Sequence, residues 1–162
     1  MKLIVGMIVW SLSLNAQAAD TCSYSELWSL PAWFSPGRSL VRPLAVSCRL
    51  NPFYLSGDFD GDGRQDVAVL ISNHVKDKYG VAIVQRANNQ VTILGAGVPY
   101  QGDDDFRWLD IWRVESKTRE LNAQKQPIPN YRGDVLYLEK SESASGWVGM
   151  VGDDLVWYQG GD

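Results

Sequence analysis

The run Asp58-Phe59-Asp60-Gly61-Asp62-Gly63-Arg64-Gln65-Asp66 sets four carboxylates at alternating and then wider spacing, with glycines between them. On a chain that curls back on itself, side chains two residues apart can turn toward one centre. Four carboxylates held this closely repel one another unless a cation lies among them, and Arg64 relieves only part of that charge. Ca²⁺, a hard ion that takes about six to eight oxygen ligands, suits such a set. Asp58, Asp60, Asp62, the main-chain carbonyl of Arg64, and Asp66 are therefore the expected ligands. Gly63 permits the positive φ of a sharp turn, and Gly61 removes side-chain bulk where the loop tightens. The alternative is a solvated acidic turn with no ion, and even a bound ion can serve merely to fasten two strands.

An EF-hand is a poor description of this loop. Its twelfth residue would be a bidentate Glu, whereas Val69 stands there inside an apolar run. Both flanks read as strands. Phe53-Tyr54-Leu55 leads in, and Asp66 to Ser72 leads out as a β-branched, apolar run. Further strands are expected at Leu40 to Cys48, Tyr79 to Arg86, Gln90 to Leu94, Asp134 to Glu139, Gly146 to Val151 and Leu155 to Gln159. Phe106 to Val114 reads as a strand, although Trp108, Ile111 and Trp112 also fall at helical i, i+3, i+4 spacing. Ser25 to Leu30 suits a helical turn stopped by Pro31, and Pro36-Gly37 marks a turn. Ser116 to Arg132, with Pro127 and Pro129, reads as a surface loop. No long amphipathic helix is evident. The pattern predicts an all-β domain: an antiparallel meander of about eight strands with an irregular N-terminal arm.

The first nineteen residues have the layout of a secretory signal. Lys2 is followed by an apolar run from Leu3 to Leu14 and by Ala16-Gln17-Ala18, an A-x-A cleavage pattern. Twelve apolar residues are too few to span a bilayer core, which needs about 20. Ala19-Asp20-Thr21 before Cys22 is a poor lipid-attachment sequence. Residues 1–19 are thus expected to be removed, leaving residues 20–162 as one soluble domain in the periplasm or secreted, with no membrane insertion. Cys22 and Cys48, the two cysteines of the chain, are expected to form a disulfide there. It would tie the irregular arm to the body and contribute on the order of 3 kcal/mol. Without Lys2 the chain has fourteen Lys and Arg against nineteen Asp and Glu, which argues against nucleic acid as a partner.

The loop and its flanks resemble the FG-GAP/VCBS repeat, in which D-x-D-x-D-G-x-x-D joins strands of a β-propeller blade, as in integrin α-subunit heads. Phe53-Tyr54-Leu55-Ser56-Gly57, the acidic loop, and Val67-Ala68-Val69-Leu70 carry the likeness. The chain from Asn51 to Asp162 is also similar to small exported bacterial proteins with one such repeat. The matching stretches are Ile93 to Gly97, Gly102 to Phe106, Leu138 to Gly146 and Trp157-Tyr158-Gln159. This resemblance implies a calcium loop between strands and propeller-blade-like hairpins. Integrin-type propellers carry several repeats, but only one D-x-D-x-D-G loop occurs here. Propellers typically need at least about four blades, and this length accommodates about two.

Other candidate chemistry is sparse. Asp103-Asp104-Asp105, with Asp110 nearby, could form a second metal site or a partner surface, although three consecutive carboxylates fit a solvated loop face better. Asp153-Asp154 suits a hairpin turn. His74 is the only histidine, too few for a His-based zinc site, and no G-x-S-x-G elbow occurs. Paired acids of the glycosidase type stay open. Six tryptophans follow the signal, and most are expected in the core, with Trp33-Phe34 the pair expected to be exposed. The expected function is a non-enzymatic calcium-binding or structural module, monomeric, with an envelope protein or a glycan as possible partner. An inhibitor or immunity-type protein acting through acidic loops is the alternative, followed by a carbohydrate-directed hydrolase or lectin-like domain.

Overall fold

The computed structural model describes residue 20, residues 22–116 and residues 127–160. The expected signal segment and much of the polar loop after Ser116 lie outside the described residues. The described residues fold into two antiparallel sheets holding nine strands. The first contains β1 (Leu44–Val46), β2 (Tyr54–Gly57), β3 (Asp66–Asn73), β4 (Lys78–Val84) and β5 (Val91–Gly95). The second is a plain meander of β6 (Ile111–Glu115), β7 (Val135–Lys140), β8 (Ala144–Val151) and β9 (Asp154–Gln159).

The all-β expectation holds, but the single meander of about eight strands becomes two sheets. β1 and β2 lie end to end along one edge of β3: Leu44–Val46 pair with Asn73–Ile71, and Tyr54–Gly57 with Val69–Asp66. Leu70 sits at their junction. Its carbonyl accepts from Ser47 N at 2.9 Å, and its N–H donates to Phe53 O at 2.9 Å. Each sheet is therefore four strand positions wide, and neither closes into a barrel.

All eight residues of β3 are buried, which explains why its middle, Val67–Ile71, is continuously apolar instead of alternating. A strand buried on both faces needs cover on both. Its core includes Leu30, Phe34 and Leu40 from the N-terminal arm as well as Leu136, Leu138 and Val148 from the second sheet. In β7 the period of two is clean. Leu136 and Leu138 join that main core, while Val135 and Tyr137 join Trp147 and Tyr158 in a smaller cluster.

The arm carries two short helices, α1 (Tyr24–Leu27) and α2 (Pro36–Ser39). Ser23 and Glu26 form a capping box at the start of α1, with the Ser23 N–H donating to Glu26 Oε2 at 2.7 Å. The Cys22–Cys48 disulfide is present and ties the arm to the segment after β1. The expectation for Trp33-Phe34 is overturned. Phe34 is 5% exposed and Trp33 packs partly against the core, because the arm must supply apolar cover for β3. Among the described residues the exposed tryptophan is Trp28, at 72%.

Phe106 to Val114 is also corrected. A 3₁₀ turn at Phe106–Trp108 precedes β6, so neither a continuous strand nor a helix forms. The Asp105 side chain caps the turn by accepting from Arg107 N, and Leu109 returns to extended backbone. Trp112 then fills the core, and its indole N–H donates to Pro52 O at 2.8 Å.

Candidate metal centre

β2 and β3 pair through Gly57 and Asp66, so residues 58–65 form the hairpin connection between them. Asp66 anchors it as the first residue of β3. It is fully buried, and its carboxylate ties the start of the loop to the segment after β4. Oδ2 accepts from Phe59 N at 3.0 Å and Asp60 N at 3.4 Å, and Oδ1 accepts from Arg86 N at 2.8 Å. Phe59 itself is buried in the main core, which pins the loop from below and leaves its neighbours Asp58 and Asp60 to turn toward Asp66. Asp62 N donates to Asp58 Oδ1 at 3.0 Å and to Asp60 Oδ1 at 3.1 Å, and Gly63 N donates to Asp58 Oδ2 at 3.0 Å.

Three of the four expected carboxylates meet. One oxygen from each of Asp58, Asp60 and Asp66 lies within 4.8 Å of the other two. Asp62 stands outside this group. Its Oδ1 accepts from Arg64 N at 2.8 Å, and its Oδ2 lies 3.9 Å from Arg64 Nε. Among the described residues no lysine or arginine pairs with Asp58, Asp60 or Asp66. At such separations two like charges repel by about 3 kcal/mol for an effective dielectric near 20. Burial raises the Asp66 pKa above the usual carboxylate value, and the Asp60 charge adds to that; hydrogen bonds from Arg86, Phe59 and Asp60 oppose it. The cluster could hold a metal ion. Every side-chain donor is a carboxylate oxygen, and Asp60 Oδ2 accepts no hydrogen bond from the described residues, so coordination capacity remains.

The sequence reading missed the strap behind the loop. Arg132-Gly133-Asp134 runs into β7 and crosses the back of residues 58–61. Asp134 Oδ2 accepts from Asp58 N at 3.0 Å, and Asp134 N donates to Asp58 O at 2.6 Å. A Cβ on Gly133 would overlap the Asp58 carbonyl oxygen. Gly61, at φ +73°, brings its α-carbon so close to the strap that a Cβ would sit 2.5 Å from Arg132 O. The acidic loop is thus seated on the second sheet. The one signal in the sequence was a Gly-Asp pair opening a strand, with nothing to say which loop it meets.

Asp103, Asp104 and Asp105 lie elsewhere, and each is engaged within the chain. Asp103 accepts from Asp105 N and from the Trp108 indole N–H at 2.8 Å. Asp104 forms an ion pair with Lys78. Asp105 accepts from Tyr79 N at 2.9 Å and pairs with Arg107 Nε at 3.4 Å. Asp110 is separate, its Oδ1 accepting from Ser141 N and Oγ in the β7–β8 turn. Comparison with family models, curated proteins and solved structures finds no match. Among the described residues no helix is long and apolar enough to cross a membrane.

Proposed function

We propose that this chain is an exported calcium-binding β module of the FG-GAP/VCBS kind, in which the ion fastens the β2–β3 loop and the chain acts by binding or structural support instead of catalysis. One observation carries the reading: Asp58, Asp60 and Asp66 converge in a loop whose backbone already wraps them, with no basic side chain among the described residues pairing with them. An all-oxygen set favours a hard cation. Calcium tolerates irregular loop geometry, whereas magnesium demands a near-ideal octahedron. Asp58, Asp60 and Asp66 would hold the ion first. Asp62 would join by a side-chain rotation away from Arg64, and the Arg64 carbonyl and water would complete the shell.

Export fits the Cys22–Cys48 disulfide, since such bonds persist in oxidising compartments. We place the protein in the periplasm or outside the cell, as a monomer free of the membrane, with an envelope protein or glycan as partner. Calorimetric titration of chelator-stripped protein is the test. We expect uptake of one Ca²⁺ per chain, lost in Asp60→Ala and retained in Asp104→Asn. Absence of calcium uptake at millimolar concentration refutes the reading.

A further inference from the structure

Away from the acidic loop, the segment between β5 and β6 faces β9 across an open cleft of about 340 Å³. Tyr100, Gln101, Asp103 and Trp108 form one wall, and Trp157 and Gln159 the other, with buried Phe106 at its base. The two walls come from distant parts of the chain and are joined by the Tyr100 hydroxyl, which donates to Leu155 O at 3.4 Å.

Both indoles are oriented. The Trp108 N–H donates to Asp103 Oδ2 at 2.8 Å, and the Trp157 N–H donates to Gln159 Oε1 at 3.0 Å. Gln159 is held in turn, its Nε2 donating to Ser145 O at 3.2 Å. Beneath Trp157 lies Gly146, on the neighbouring strand. A Cβ there would fall 2.5 and 2.6 Å from ring atoms Cε2 and Cη2, so the ring lies directly over the glycine backbone. The missing side chain lets the indole lie flat against β8 as a platform, with its other side turned away from that strand.

We propose that this cleft binds a neutral carbohydrate, with Trp157 and Trp108 stacking on pyranose faces and Asp103, Gln101 and Gln159 meeting the hydroxyls. Fixed aromatic planes with polar groups at their edges match a sugar ring, which is apolar on its faces and both donor and acceptor around its rim. Among the described residues no lysine or arginine lines the cleft, and Asp103 would repel a phosphate, sulfate or uronate. A quaternary ammonium would also suit aromatic rings and a carboxylate. It has no use for amide donors, however, and Gln101 and Gln159 supply them. The volume lies at the small end of ligand sites, about 300–1,000 Å³, in keeping with a short saccharide segment. Among the described residues Asp103 is the one carboxylate lining the cleft, without the second acid that a glycosidase pair needs. The proposal is therefore one of binding.

The test follows the indole N–H signals by two-dimensional NMR in exported protein. Chitotriose, cellotriose, maltotriose and mannotriose are titrated to millimolar concentration beside a sulfated trisaccharide and tetramethylammonium. We expect saturable shifts of Trp108 and Trp157 with at least one neutral trisaccharide. Affinity should fall at least about tenfold in Trp157→Ala and stay unchanged in Asp60→Ala, which separates this site from the metal centre. Trp108→Phe and Gln101→Ala, at the rim, provide the same test should Trp157→Ala fail to fold. The proposal is overturned if no neutral sugar gives a saturable shift, if only tetramethylammonium or the sulfated sugar does, or if binding survives the cleft substitutions.

Discussion

Two loops of this protein are rich in aspartate, and they dispose of their charge in opposite ways. In the loop from Asp103 to Asp105, Asp104 meets Lys78, Asp105 meets Arg107, and Asp103 receives an indole N–H. In the loop from Asp58 to Asp66, the three clustered carboxylates receive main-chain N–H groups and no basic side chain among the described residues. Charge density therefore does not distinguish the loops; what each has been given to balance it does. Each carboxylate of the first finds a partner within the chain. The second is arranged around a shared centre that an external cation would complete.

The largest expected effect sharpens the contrast by asking what holds the second loop when no ion is added. Gly133→Ala would drive a methyl group into the Asp58 carbonyl oxygen, a backbone atom that cannot give way without moving the loop off β7. We expect a loss of roughly 3 kcal/mol or more in chelator, measured by urea denaturation. Gly63→Ala is the control. Its Cβ meets nothing within 4 Å, so only the cost of φ +87° remains, on the order of 1–2 kcal/mol. Equal losses in the two variants would show that the strap does not seat the loop.

Calcium removal comes next. Free calcium at about one hundred times Kd should stabilise the fold by about 2.7 kcal/mol, several degrees in melting temperature for a domain of this size. Asp60→Ala should abolish the rise, whereas Asp103→Asn and Asp104→Asn should leave it intact. A rise that survives Asp60→Ala but disappears in Asp104→Asn would exchange the roles assigned to the two loops.

The acidic spacing in the sequence was enough to place Asp58, Asp60 and Asp66 at one point, because that geometry is local: the alternation, the glycine turn and the first residue of the next strand lie within nine positions. Asp134 was not legible as part of the site, because it reaches Asp58 across 76 residues and through the packing of one sheet on the other. The strands show the same division. β3 and β4 could be placed from their apolar runs, while the pairing of β1 with the far end of β3 follows from a tertiary demand, the cover of an otherwise open edge. Trp33-Phe34 was misplaced for the same reason. Proline-rich surroundings suggest an exposed segment, and only the folded arm reveals that Phe34 fills the core. The aromatic cleft joins Trp108 to Trp157 and had no local signature at all.

Asp134→Ala tests the tertiary contribution to the site at a moderate effect. It removes the acceptor for Asp58 N while leaving the backbone bond from Asp134 N to Asp58 O. A stability loss of about 1–2 kcal/mol is expected, with weaker calcium binding, because Asp58 is no longer held against the strap. Calorimetry on the variant separates the two consequences. Unchanged affinity alongside lowered stability would make Asp134 a support of the fold and not of the metal centre.

The smallest effect belongs to the self-balanced loop. The Lys78 and Asp104 side chains are about one-third exposed, at 32% and 35%, so water and salt screen their attraction, and pairs of this kind contribute about 0–1 kcal/mol. Lys78→Met keeps the aliphatic stem but leaves Asp104 without its cation. Stability in low salt should fall by less than about 1 kcal/mol, and the difference from the parent protein should shrink as salt is added. If balancing charge is what separates the two loops, Lys78→Met should also make the first loop resemble the second in one respect: added calcium should recover part of the small loss. It should do so only weakly, because Asp103 and Asp105 remain turned toward Trp108, Tyr79 and Arg107. Recovery as strong as that at Asp58–Asp66 would mean that convergence of the carboxylates matters less than their lack of a partner, and the distinction between the loops would reduce to charge alone.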